Sequence, residues 1–167
     1  MRPMTHTAQT YIQTLQLQAH PEGGFYRETY RSKLMTDAVG PENDRRHVST
    51  GIYFLIEHGN FSAFHKIKSD EMWHFYAGQA LEIFELSETG QRSCTRLGPD
   101  TMSGEALQHV VVANTWFASR VADGGTFSLV GCTVAPGFDF RDFYLADRQS
   151  LTAKFPHHRQ LILELTR

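Results

Sequence analysis

The chain has 167 residues, 41% of them hydrophobic and 20% charged, which suits one domain able to bury roughly two-thirds of its unfolded surface. Its formal charge is -2, and no cluster of Lys or Arg extends beyond Arg45-Arg46, so neither a nucleic-acid partner nor a polybasic membrane contact is expected. The N-terminal MRPMTHTAQTYIQTLQL lacks the apolar core of a signal peptide, and no run reaches about 18 apolar residues. A cytoplasmic protein is therefore expected. The two cysteines, Cys94 and Cys132, are expected as free thiols of a reducing compartment, with Cys132 buried in the apolar run FSLVGCTV.

In chain order, Thr7 to Leu17 places Tyr11, Ile12 and Leu15 on one side at helical spacing, with Thr5 or Thr7 available as the cap. His20-Pro-Glu-Gly-Gly24 is turn chemistry, and the alternating, aromatic-rich FYRETYRS after it predicts a strand. Residues 34 to 46, with Gly40-Pro41 and five charged side chains, predict an exposed, mobile loop. Strand signals then recur at short intervals: STGIYFLIEH, FSAFHKIK, EMWHFYAG, ALEIFEL, RSCTRL, QHVVVA, TWFASRV and TFSLVGCTVA. Ser87 to Gly90 and Gly98-Pro-Asp100 break the run, and Asp123-Gly-Gly125 predicts a hairpin turn. Residues 147 to 166 predict one or two helices around Pro156. No repeat interrupts the pattern, so one domain over 1–167 is expected, with a β-barrel core at about 48–136.

Strand alternation assigns side chains to faces. Phe61, Ala63, His65 and Ile67 share one parity and Ser62, Lys66 and Lys68 the other, so the apolar set and His65 are expected inside. Glu71 and Trp73 share a parity in the next strand. A buried imidazole needs partners for two ring nitrogens, and a buried carboxylate is costly unless paired or protonated. His65 and Glu71 are accordingly the candidate catalytic pair. His74, of opposite parity, reaches the interior only through a bulge. Gln108 shares its parity with Val110 and Val112, and an inward amide would hydrogen-bond a ligand, a water or Glu71. Tyr53, Trp73 and Trp116 offer flat surfaces for stacking a ring. Phe138 and Asp139 of the PGFDF turn are expected at the barrel mouth. Glu22, Tyr26 and Arg27 are expected there too, or across a dimer interface.

The run Gly59-x5-His65-x-Ile67-x3-Glu71-x6-Gly78 resembles the first motif of the cupin superfamily at every marked position except the second histidine, where Ile67 stands. In the counterpart of the second motif, Val112 replaces the proline, Asn114 the glycine and Phe117 the histidine. Of four customary metal ligands, His65 and Glu71 remain. No cofactor is expected, and any divalent metal would be held weakly, through waters, by these two. Almost the whole chain is similar to the small cupin-5 family, a domain of unknown function. The similarity is carried by HPEGGFYRETYRS, FHKIKSDEMWHFYAG, Leu97-Gly-Pro-Asp100, Gln108 with its valine run, Trp116 and LVGCTVAPGFDF.

The resemblance implies an all-β jelly roll flanked by N- and C-terminal helices, commonly a homodimer, with sugar-nucleotide epimerases and isomerases as the nearest enzymes by fold analogy. Three functions stay open. One is a metal-independent isomerase or epimerase on a sugar or sugar-nucleotide-like ligand, in which His65 exchanges a proton and Glu71 orients it. The others are a non-catalytic binding module and a metalloenzyme completed by His74 or Gln108. An edge strand such as FYRETYRS would pair with a second copy.

Overall fold

The computed structural model describes residues 6–37 and 44–167. Its strands are β1 (Gln18–Ala19), β2 (Phe25–Arg31), β3 (Met35–Thr36), β4 (Arg46–His47), β5 (Thr50–Glu57), β6 (Phe61–Lys66), β7 (Asp70–Gly78), β8 (Leu81–Leu86), β9 (Arg92–Leu97), β10 (Gln108–Val111), β11 (Trp116–Val121), β12 (Phe127–Ala135) and β13 (Tyr144–Leu145). The helices are α1 (Ala8–Thr14), α2 (Arg148–Lys154) and α3 (Arg159–Glu164). Thr7 caps α1 by accepting from the Thr10 amide, and Asp147 caps α2 through Ser150, each satisfying an amide that helix geometry orphans.

Two antiparallel sheets form a jelly roll: a six-stranded sheet β1-β2-β5-β12-β7-β10 and a five-stranded sheet β13-β6-β11-β8-β9. Between them pack Phe54, Trp73, Ile83, Leu97, Phe117 and Val130 with their neighbours. The outer face of the smaller sheet is sealed by α2 and α3 through Phe64, Phe84, Leu151, Phe155 and Ile162, while Leu55, Phe127 and Leu129 of the larger sheet carry α1. Apolar residues on both strand faces thus reflect two outer helical layers as well as one interior.

Three expectations need correction. Asp123-Gly-Gly125 is not a hairpin turn: it passes from β11 in one sheet to β12 in the other, because the jelly roll alternates between sheets and local turn chemistry does not say which strand follows. The 34–46 segment is not all exposed loop, since β3 pairs with β4 and Arg46 is 2% exposed. Its middle, residues 38–43, lies outside the described residues. Finally, β6 does not keep one parity, for its register against β11 shifts between Ser62 and His65. Phe61 and Phe64 therefore turn towards the C-terminal helices, whereas Ser62 and His65 both reach Glu22, as a bulge allows. β2 is an inner strand at its start, paired with β1 and β5, which leaves only its later residues an unpaired edge.

Among the described residues no helix is long and apolar enough to cross a membrane. Both cysteines are free, Cys94 exposed and Cys132 buried.

Candidate functional site

The interior is packed at one end and open at the other. A cavity of about 460 Å³ opens where β2, β5, β6, β7 and β12 converge, lined by polar side chains that include His20, Glu22, Glu28, Arg31, His65 and Glu71. That volume is in the range of small-molecule sites.

Glu22 is brought here by the HPEGG turn. Gly24 has φ +75, and a Cβ on it would lie 2.7 Å from the Leu55 carbonyl oxygen, so only glycine lets the chain run this close to β5. The Glu22 carboxylate accepts from Ser62 Oγ at 2.9 Å, and its carbonyl accepts from the Ala63 amide. Its other oxygen lies 3.0 Å from His65 Nε2. His65 Nδ1 is 2.7 Å from the Ala63 carbonyl, which only accepts, so Nδ1 carries a hydrogen and Nε2 faces Glu22. Burial pushes Glu22 up, against His20 and the Ser62 bond, and pushes His65 down, against Glu71 and the Ala63 carbonyl. Both shifts favour the neutral pair, with the proton on Glu22.

Glu71, 8% exposed, is raised to about 7 by burial, with Glu22 adding to the shift and His65 and the Cys132 thiol opposing it. Burial also holds His20 below its ordinary value. Its Nδ1 accepts from the Glu22 amide at 3.3 Å, leaving Nε2–H as its donor. The mouth is closed on one side by the 137–143 turn: Phe138 N donates to Thr50 Oγ1, and Arg31 donates to the Phe138 carbonyl at 3.2 Å. Asp142 binds the buried Arg46 at 2.6 Å.

Of the residues expected at the site, His65, Glu71, Glu22, Tyr26, Phe138 and Asp139 line the cavity. Glu22 lies deeper than expected, in contact with His65 and away from the rim. The other six do not line it. Trp73 has the inward parity but lies deeper, 1% exposed against Phe54 and Phe117, and its Nε1 has no partner among the described residues. His74 and Gln108 hydrogen-bond each other, and His74 also reaches Thr133. They stand on the outer face because β7 is regular at His74, its register shift falling further along, opposite Leu129 and Val130. Tyr53 joins the cluster under α1, with Arg27 over its ring; both have the parity opposite to the cavity residues Ile52 and Tyr26. Trp116 packs against the C-terminal layer with Lys66 above it.

Sequence reasoning missed His20, Glu28, Arg31 and Cys132. Parity could have placed Glu28 with Tyr26, and Cys132 with Val130 and Val134. Arg31 follows from a register shift in β2 between Glu28 and Tyr30, for which the sequence carries no signal.

The cupin metal position can be tested on its donors. Phe117 pairs with His65 across β6 and β11 with ring centroids 4.1 Å apart, and Ile67 lines the cavity beside it. Neither side chain has a lone pair, and the free nitrogen of His65 is taken by Glu22. Among the described residues no three His, Cys, Asp or Glu side chains are grouped to hold a metal, so the donor set does not fit one.

The profile of the Cupin_5 family, described as Cupin superfamily (DUF985), matches residues 9–146. The chain belongs to this family. This cupin is 30% identical over 146 residues to the uncharacterized protein YML079W of Saccharomyces cerevisiae, covering 80% of this chain and 72% of the yeast protein. Among solved structures it is similar to protein SO0799 of Shewanella oneidensis, with 41% identity, TM-score 0.88 and coverage of 97% and 98% of the two chains. A hypothetical protein from Leishmania major superposes with TM-score 0.91 at 35% identity, covering 96% of this cupin and 99% of that chain. Oxalate decarboxylase from Bacillus subtilis, at 12% identity and TM-score 0.55 over 88% of this cupin and 36% of that enzyme, shares the fold alone.

Proposed function

We propose that the protein is a metal-independent isomerase or epimerase acting on a small sugar-like molecule. The carrying observation is the contact of Glu22 with His65 at 3.0 Å in a cavity that also holds Glu71, raised to about 7. A carboxylate that titrates near neutrality is suited to removing a proton and returning it. In this reading Glu71 takes the proton from the carbon beside a carbonyl, while protonated Glu22, against His65, supplies a proton to the carbonyl oxygen. The resulting enediol collapses when the steps reverse on the other face or the neighbouring carbon. This reassigns the roles of His65 and Glu71, because His65 Nε2 faces Glu22 at 3.0 Å and, among the described residues, the donor beside the Glu71 carboxylate is the Cys132 thiol.

Tyr26 and Phe138 offer surfaces for the C–H face of a ring, and carboxylates accept from hydroxyls. A nucleotide part is less well served, since the Arg31 guanidinium is bound by Glu28 at 2.8 and 2.6 Å. Deuterium uptake from D2O into aldoses and ketoses, followed by NMR, tests the reading. Exchange lost by a factor of about 10² or more in both His65→Asn and Glu71→Gln supports it. Saturable binding with no exchange would instead make the protein a binding module.

The working unit in this proposal is a homodimer. The outer face of the six-stranded sheet exposes Met72, Tyr76, Val110 and Val112, an apolar stripe of the kind that a second copy covers. Light scattering should give twice the chain mass, and Tyr76→Glu should halve it. A monomeric wild-type protein at micromolar concentration refutes this part.

A further inference from the structure

We propose that the cavity selects a ligand bearing an ammonium group, an aminated ring of sugar size, and rejects phosphates and carboxylates. The proposal rests on reading the cavity as a small-ligand site, and adds the ligand's charge. Four carboxyl groups line it: Glu22 keeps its proton, Asp139 is paired with Arg141 at 2.7 Å, Glu71 has no ion-pair partner among the described residues, and Glu28 faces the one guanidinium of the lining, Arg31. That guanidinium is spent: Glu28 takes it with both oxygens, and the Phe138 carbonyl takes a third N–H. The Phe138 amide, another donor at the mouth, is bound to Thr50 Oγ1. An anion entering here finds the neutral His20 Nε2–H as a donor but no unpaired cation among the lining residues.

A cation finds partners at two depths. Among the described residues Glu71, nine-tenths buried, lines the cavity with the Cys132 thiol as the donor beside its carboxylate and His65 nearby. A buried carboxylate with so weak a partner is short of donors, and a primary ammonium brings three. Nearer the mouth, Phe138 and Phe140 meet edge to face at 5.0 Å, and His20 stacks on Phe140 at 6.3 Å, while the Tyr26 ring lies 4.5 Å from His20. Aromatic faces combined with carboxylates are the chemistry that recognises ammonium groups. Burial holds His20 and His65 below their ordinary values, so neither imidazole supplies a compensating positive charge at neutral pH.

The test uses three probes of one shape: cyclohexylmethylamine, cyclohexylmethanol and cyclohexanecarboxylate, titrated at neutral pH into ¹⁵N-labelled protein and followed by amide shifts around the cavity. The amine should bind at least about tenfold tighter than the alcohol, and the carboxylate should give no saturable shift. Glu28→Gln, a change at the solvent-facing mouth, frees Arg31 and should weaken the amine several-fold while admitting the carboxylate. No saturable binding of the amine at millimolar concentration overturns the proposal, as does carboxylate binding equal to the amine, or alcohol binding equal to it. An unchanged order of the three in Glu28→Gln overturns the role given to Arg31. These outcomes concern charge alone and leave the deuterium-exchange experiment to decide the acid–base reading separately.

Discussion

Glu71→Gln removes the group whose burial costs this fold most clearly, and it should make the protein more stable. In the unfolded chain Glu71 ionises near its ordinary 4.5; in the fold it does so at about 7. Between these pH values the unfolded state has released its proton and the folded state has kept it, so stability falls as pH rises through this window. At about 1.4 kcal/mol for each pH unit, the loss is complete above the folded value and amounts to about 3 kcal/mol. Glutamine keeps the shape and never titrates. The variant should therefore match the wild type near pH 4 and exceed it by up to about 3 kcal/mol near pH 8. For a chain of this length that is a melting temperature raised by roughly 6–12 °C. Urea unfolding at a series of pH values measures the difference directly. A variant less stable than wild type at the alkaline end, or a difference that stays constant with pH, refutes the reasoning. Loss of turnover alongside a gain in stability is the behaviour of a strained functional group.

His65→Asn should show the opposite dependence: burial holds His65 below 6.5, so its contribution is present above that pH and lost as pH falls. The variant should accordingly tolerate acid better than wild type in thermal melts, and an unchanged acid limb contradicts this. Arg46→Met strips Asp142, 3% exposed, of its bidentate partner, leaving Lys68 at 3.4 Å as its one cation among the described residues. A loss of about 3–5 kcal/mol is expected in urea unfolding, and a loss well under 1 kcal/mol would show the cluster to be dispensable. Ile67→His combined with Phe117→His puts imidazoles back at the two apolar motif positions beside His65 and Glu71. The double variant should bind Zn²⁺ stoichiometrically by metal analysis, and failure to do so would show that the apolar pair is not what keeps metal out.

The sequence by itself determined the fold class, the jelly-roll motif and the inward aim of His65, Ile67 and Glu71. Period-two alternation and glycine-framed spacing are local, and a residue's parity is set by its own strand. It also located the capped N-terminal helix and the pair of helices around Pro156. Only the tertiary structure decided what stands beside what. Glu22 lies 40 residues from Ser62 in sequence yet shares a hydrogen bond with it, and this contact turns an isolated histidine into a pair. The bulges in β2 and β6 bring Arg31 and Ser62 to the cavity side by adding single residues that no composition signal marks. Trp73 points inward as its parity requires, but how far along the barrel the core closes depends on side-chain volumes contributed by both sheets. The number of residues facing the open end is a property of that packing, so the aromatic residues foreseen as ligand platforms became core while His20 and Glu28, in a turn and an unremarked strand position, became the wall of the site.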